Sequence, residues 1–317
     1  LEFSLDGGRA YFAMESEKAL GAVSQAMSGV PLRQIARRVS LFAQALCGRD
    51  VRIHDLPHAL ESAQPMARAT VSEDGRSIGL PSIVRRYPTY DENVRLYMVM
   101  AAHEAGHLEF GTFDLPIACL QDLTVELAQR YGRRALREAR TLGDVFARYP
   151  QPGLIRDLWA LIEDARVEHL LRAEYPGLSR DLASIAKDAV SVRGLAHGMT
   201  VRELVVDQLL LLSTAEAESV PIPDAVKREV EDLWRLCRTI FHAHASAEEA
   251  VRLADRLYVR MDELLKVRRE AMPTQDEAEA PEQSIPAPKA SEDLSDTYRP
   301  MDNWDYRGAM EDRKSVV

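Results

Sequence analysis

The sequence His103-Glu104-Ala105-Gly106-His107 decides the fold, because it places two imidazoles four positions apart with a carboxylate between them. Residues i and i+4 of a helix lie on one face, so His103 and His107 can point at one ion. Glu104 is rotated by about 100° from His103, which suits it to hold a metal-bound water and not the metal. This HExxH spacing predicts zinc ligands at His103 and His107 and a candidate catalytic base at Glu104.

The residues around the motif predict a helix over about 90–110. Thr89 and Glu92 have the spacing of a capping box after a proline, and Gly111 is a typical helix stop. The motif therefore falls in the last two turns of this helix.

Two short strand-like runs precede the motif helix, at 67–71 and 76–80. Between them, Glu73-Asp74-Gly75 favours a tight hairpin turn. A hairpin that leads into a metal-binding helix resembles the zincin fold. We therefore expect a mainly α protein with a small β-sheet or hairpin, an α+β arrangement in which a zincin-like metal-helix core lies inside a helical bundle.

A metal held by two histidines needs at least one further protein ligand, and we predict that it comes from a helix over 154–175. On that helix Glu163 shares a stripe with Trp159 and Leu170. An unpaired carboxylate in such apolar surroundings is costly unless a cation neutralises it. Glu163 is therefore the predicted third ligand.

Two alternatives to Glu163 as a ligand stay open at the level of sequence. Asp164 lies on a neighbouring stripe with Glu168 and is the rival ligand. In the other alternative there is no ligand on this helix, and its charges form salt bridges through Arg166.

The remaining sequence also predicts helices. They are expected at 11–27, 32–47 and 224–242, and after capping boxes at 200–203 and 246–249. We expect these helices to cover the metal helices as a bundle.

Two segments together resemble a known family, HEAGHLEFGTFD at 103–114 and IEDARVEHLLRAEYPGL at 162–178. They are similar to the amino-terminal region of the NorD/CbbO proteins, which are von Willebrand A-domain partners of MoxR-type AAA+ ATPases, and more distantly to the cobaltochelatase subunit CobT. Residues 302–307 also resemble the segment that leads into the A domain of those proteins. The resemblance implies an adaptor or co-chaperone that acts with a MoxR-type ATPase on a client enzyme, of the nitric oxide reductase or the rubisco type.

The chain departs from that family after Arg307, where no A domain follows and the D-x-S-x-S adhesion motif is missing. We interpret the sequence as a fragment. Three regions are predicted: an N-terminal helical region over 1–66, a zincin-like helical core over 67–270, and an acidic linker over 271–317 that leads toward an A domain. The linker holds 11 acidic and 5 basic residues, a net charge of −6 out of −10 for the chain, and its composition predicts a disordered or loosely attached segment.

Composition and motifs exclude several classes of protein. The chain lacks a GxxxxGK[ST] phosphate loop, so it is not expected to hydrolyse ATP. Its acidic charge argues against nucleic-acid binding, and no apolar run reaches the roughly 18 residues that a membrane span needs. Three widely spaced cysteines predict free thiols in a reducing cytoplasm. Two functions remain: the adaptor is favoured, and the alternative is a zinc-dependent metallopeptidase that uses Glu104 as its general base.

Overall fold

The structure of the chain is a computed structural model that describes most of the sequence. The described residues are 29–56, 70–71, 75–132, 138–193, 198–214, 220–271, 298–301, 304 and 306–307. The helix predicted at 11–27 lies outside them.

Helices make up most of the described chain. They are α1 (Leu32–Cys47), α2 (Tyr90–Glu109), α3 (Gln121–Tyr131), α4 (Leu142–Phe146), α5 (Pro152–Glu174), α6 (Pro176–Val192), α7 (Val201–Thr214), α8 (Lys227–Cys237) and α9 (Ala247–Ala271). Single 3-10 turns at Ile117–Leu120, Asp224–Val226 and Arg238–Ile240 precede or follow them. The strands are β1 (Val30–Pro31), β2 (Arg52–Leu56), β3 (Thr70–Val71), β4 (Ser77–Pro81) and β5 (Ile83–Val84). The predicted mainly α architecture with a small β element is confirmed.

The chain divides into two compact units. One comprises Leu1–Glu109 and Asp305–Ala309, and the other comprises Phe110–Trp304 and Met310–Val317. The predicted region boundaries at 66/67 and 270/271 adjoin or lie in segments outside the described residues, so they stay predictions.

In the first unit, α1 and α2 pack on each other and on the strands. β3 pairs antiparallel with β4, in agreement with the predicted hairpin, and residues 72–74 of its turn lie outside the described part. β2 pairs parallel with β4, which the sequence did not predict. A Cβ atom at Gly79 in β4 would lie 2.7 Å from the end of the Leu56 side chain and 3.0 Å from the end of the His54 side chain, so a larger residue there would require these side chains to move.

All three predicted capping boxes form. The Thr89 Oγ1 accepts from the backbone N–H of Glu92, and the Glu92 carboxylate accepts from the backbone N–H of Thr89. The boxes that begin α7 and α9 make the same reciprocal bonds. A cap depends on residues three positions apart, which explains why local sequence was sufficient to place these helix starts.

Asn93 in the first turn of α2 fixes how the chain enters the motif helix. Its side chain is fully buried and makes four hydrogen bonds. Oδ1 accepts from the backbone N–H groups of Arg86 and Tyr87, and Nδ2 donates to the carbonyl oxygens of Tyr87 and Thr89. An asparagine amide satisfies two donors and two acceptors here, which no other side chain of this size does.

We expect Asn93→Ala to lower the free energy of unfolding by roughly 2–3 kcal/mol, because it leaves buried backbone groups without partners. Asn93→Asp should cost at least as much, since its carboxylate would face the two carbonyl oxygens. Urea denaturation measures both effects. Thr124→Ala in α3, which removes one exposed hydroxyl bonded to the Gln121 carbonyl, is the control and should change stability little. A wild-type midpoint for Asn93→Ala would contradict this role.

In the second unit, α5 is the central helix, and it packs against α4, α6, α7 and α9. It is buried on several sides, and its buried positions include four charged residues: Glu163, Asp164, Arg166 and Glu168. α2 of the first unit is likewise buried along most of its length. Because buried charges need partners, the charged residues of each helix are candidates for functional roles.

Candidate metal centre

The two motif histidines converge as the sequence predicts. α2 ends at Glu109 and Gly111 adopts a left-handed conformation with φ of 71°, so the motif occupies the last helical turns. The Nε2 atoms of His103 and His107 lie 3.1 Å apart, and their rings are nearly perpendicular, at 82°. Two nitrogens that each lie about 2.0–2.1 Å from one zinc ion can be separated by this distance. The pair therefore fits a shared divalent metal.

His103, His107 and Asp164 are a group of side chains that could hold a metal ion. His103, His107 and Asp164 each offer one ligand atom, and these three atoms lie within 4.8 Å of one another. All three side chains are buried. Histidine nitrogens and a carboxylate oxygen are a donor set that zinc accepts. Within the described part of the chain, this cluster could hold a metal ion.

Glu163, the predicted third ligand, is engaged elsewhere. Its Oε2 accepts from the Nε of Arg166 at 2.8 Å, and its Oε1 accepts from Arg166 Nη2 and from the hydroxyl of Thr112. Both carboxylate oxygens therefore have strong donors. The guanidinium of Arg166, three residues further along the helix, neutralises this buried carboxylate. The Glu163 carboxylate therefore does not require a metal ion for its neutralisation. The group that could hold a metal ion contains the rival ligand Asp164, and Glu163 as the third ligand stays a prediction.

Arg166 uses its remaining donors to fix two chain segments. Nη1 donates to the carbonyl oxygen of Ala245 at 3.1 Å, and Nη2 donates to that of Phe110 at 3.1 Å. The side chain is almost fully buried. A guanidinium carries five N–H donors in a rigid plane, so one residue can hold the Glu163 carboxylate and two backbone carbonyls together. This network anchors the loop that begins just after the motif helix.

Glu104 is buried and exposes 4 % of its surface. It lies one position from His103 on α2, so the sequence arrangement of a base beside the metal ligands is retained. Its role as a catalytic base stays a prediction.

A segment near the end of the chain is the part of the site that sequence reasoning missed. The ring of Tyr306 lies edge-on to that of His103, with 6.4 Å between the ring centres. Tyr298, Trp304, Tyr306 and Arg307 are all buried. The prediction of a disordered or loosely attached linker over 271–317 is therefore wrong for these residues, while 272–297 lie outside the described part. The sequence signal for this burial was a set of three aromatic residues within nine positions. Large aromatic rings bury enough apolar surface to anchor a segment whose other residues are mostly polar.

The other sequence predictions concern thiols and membrane spans. Cys47, Cys119 and Cys237 are free. Burial raises the pKa of the Cys237 thiol well above its usual range. A search of the described helices for one with the length and apolar character of a membrane span found none.

Comparisons with protein-family models, with curated proteins and with solved structures found no match to this chain.

Proposed function

We propose that this chain is a metal-stabilised adaptor of a MoxR-type AAA+ ATPase. The observation that supports an adaptor over an enzyme is burial: His103, Glu104, His107 and Asp164 each expose 4 % of their surface or less. A peptidase must admit both water and a peptide carbonyl to the open position of its metal. A donor set closed to solvent suits a metal that stabilises the fold.

In this proposal His103, His107 and Asp164 hold a divalent metal, with zinc favoured by the nitrogen-rich donor set. A bound metal would couple these residues to folding, because the ligands are brought together only in the folded chain.

The choice of partner rests on the resemblance of 103–114 and 162–178 to the NorD/CbbO proteins. The chain has no phosphate loop of its own, so the free energy of ATP hydrolysis would come from the ATPase. By the same resemblance the client is an enzyme of the nitric oxide reductase or rubisco type. The adaptor would bind both and let the ATPase remodel the client.

A zinc peptidase is the second candidate, and the donor set favours it. Two histidines and one carboxylate are three protein ligands, the number found in catalytic zinc sites, and Glu104 lies beside them. Zinc, when bound, supplies a Lewis acid that lowers the pKa of water. Glu104 would accept the proton from the attacking water and pass it to the leaving amine. This function requires the buried cluster to open.

Glu104→Gln separates the two functions. We expect this variant to bind the MoxR-type ATPase of the same genome and to change its rate of ATP hydrolysis as the wild type does, because the substitution keeps the shape of the side chain and removes only the base. We expect no cleavage of a denatured casein substrate by either protein. ATP turnover and casein digestion are measured in parallel with zinc-loaded protein.

A wild-type protein that leaves the rate of ATP hydrolysis unchanged would contradict the adaptor proposal. Digestion by the wild type that Glu104→Gln abolishes would establish the peptidase in its place. The control is Glu126→Gln, which changes an exposed carboxylate of α3 that makes a weak, 3.8 Å contact with Arg130.

A further inference from the structure

Helix α1 of the first unit has one buried face and one exposed face. The helix packs against α2 and β2. Its buried positions are Leu32, Ile35, Val39, Ala43, Leu46 and Cys47. Four exposed residues form what we call the basic face of α1: Arg33, Arg37, Arg38 and Leu41. The steps of three and four residues along this set place the side chains on the same side of the helix.

The basic face concentrates positive charge at an unfavourable place. α1 contains no acidic residue, and its three arginines lie in its first two turns. A helix carries partial positive charge at its N-terminus, so basic side chains there destabilise it. Arg33 and Arg37 are four positions apart and repel each other. Pro31, the residue before the helix, makes no capping hydrogen bond with its side chain that could offset this cost.

The structure pairs none of these three arginines with a carboxylate of the described residues. Partly exposed arginines of the second unit are treated differently. Arg252 forms ion pairs with Asp122 and Glu248. Arg260 forms one with Asp232. The chain holds 50 acidic and 40 basic residues, so a shortage of carboxylates does not explain a group of arginines without them.

Leu41 adds an apolar side chain to the basic face. It exposes 58 % of its surface, whereas leucine is among the residues that are most often buried. It lies four positions after Arg37 and three after Arg38, so it neighbours both guanidinium groups on the helix surface. A protein segment with carboxylates and an apolar side chain matches this combination. A nucleic-acid backbone would use only the arginines, and the net charge of −10 opposes a long polyanion.

We propose that the basic face of α1 binds an acidic segment of a partner protein. Carboxylates of the segment pair with Arg33, Arg37 and Arg38, and an apolar side chain of the segment contacts Leu41. Arginine suits this role because its planar guanidinium can donate two parallel hydrogen bonds to one carboxylate. The bound carboxylates also offset the repulsion between the arginines and the helix dipole. This inference goes beyond the proposed function and does not depend on the metal site.

Charge reversal in the full chain tests the proposal. The probe is a fluorescently labelled peptide of Glu-Glu-Leu repeats, and its binding is followed by fluorescence anisotropy. We expect Arg33→Glu/Arg37→Glu to weaken binding by about tenfold or more. The thermal midpoint of this variant should not fall, because an acidic residue in the first turn of a helix is favourable. A loss of binding then reports the surface and not unfolding.

Two exposed basic residues of α6 provide the matched control, Arg180→Glu/Lys187→Glu. This variant changes the net charge by the same amount and should bind the peptide as the wild type does. An equal loss of binding in both double variants would show that only the net charge matters, and it would overturn the proposal. Arg33→Gln/Arg37→Gln removes the charges without reversing them, and it decides the question if the charge-reversed variant does not fold.

The contribution of Leu41 and the class of partner are tested with further probes. Leu41→Gln should weaken binding of the Glu-Glu-Leu peptide and leave binding of a Glu-Glu-Gln peptide unchanged. Oligothymidine of the same charge should bind more weakly than the Glu-Glu-Leu peptide. Tighter binding of the oligonucleotide would make the face a nucleic-acid site and refute the inference. The absence of saturable binding of the Glu-Glu-Leu peptide to the wild type would also refute it.

Discussion

Asp164→Asn is expected to weaken zinc binding by more than about 100-fold, the largest effect on metal affinity that a substitution on α5 should have. The reason is that the variant removes an anionic ligand from the cluster of His103, His107 and Asp164. Glu163→Gln, one position away, should bind one zinc ion per folded chain, because both oxygens of Glu163 are used by Arg166 and Thr112.

Competition with a chromophoric chelator measures the affinity, and metal analysis after dialysis gives the stoichiometry. Glu104→Gln is the control with a substitution inside the motif, and it should bind zinc as the wild type does. Wild-type affinity in Asp164→Asn together with lost binding in folded Glu163→Gln would return the ligand role to Glu163.

Arg166→Met is expected to destabilise the fold by about 3–5 kcal/mol, the largest loss of stability among the substitutions considered. It leaves the carboxylate of Glu163 buried without its cation, and it removes the donors that hold the carbonyl oxygens of Phe110 and Ala245. Glu163→Gln should also destabilise, because it leaves the guanidinium without an anion.

The double variant Glu163→Gln/Arg166→Met should lose less stability than the sum of the two single losses, by about 0.5–3 kcal/mol, since neither charge is then left alone. Urea denaturation of the wild type, the two single variants and the double variant gives the four free energies of unfolding that the double-mutant cycle needs. Additive losses would show that Glu163 and Arg166 do not interact as a unit. Arg235→Met provides a control, because its ion pair with Asp232 is exposed and should contribute little.

The motif helix could be predicted from sequence because its determinants are local. A capping box, a helix-stop glycine and two histidines four positions apart all act within one or two turns, so their geometry follows from the helix itself. The prediction of 90–110 agrees with the observed Tyr90–Glu109, and 32–47 agrees with Leu32–Cys47. The helix that carries the acidic residues was predicted at 154–175, between two Pro-Gly pairs, and is observed at Pro152–Glu174.

The identity of the third ligand could not be predicted in this way. Glu163 and Asp164 are adjacent on α5 and differ by about 100° in direction. On a helix with one exposed face, an apolar stripe shows which side chains are buried. Glu163 and Asp164 are both buried, so the stripe cannot distinguish them. Arg166 pairs with Glu163 and with two carbonyl oxygens that lie 56 and 79 residues away, so the choice depended on distant chain segments.

Composition misled the prediction for the end of the chain for a related reason. Acidic and proline-rich stretches remain disordered when they bury too little apolar surface to offset the loss of chain entropy. Averaged over 271–317, the composition meets that description, but the average conceals Tyr298, Trp304 and Tyr306. Their docking depends on Asp157, which lies 141 residues from Tyr298 in the sequence.

The sequence by itself therefore determined the motif helix, the three capping boxes and the convergence of His103 with His107, because these features depend on contacts within a few residues. Tertiary structure alone decided that Glu163 pairs with Arg166, that β2 lies parallel to β4, and that Tyr306 lies against His103. Each of these features depends on a donor, ring or strand that is distant in the sequence and lies beside a buried group in the fold. Buried polar groups are almost always hydrogen-bonded, so such distant partners are required.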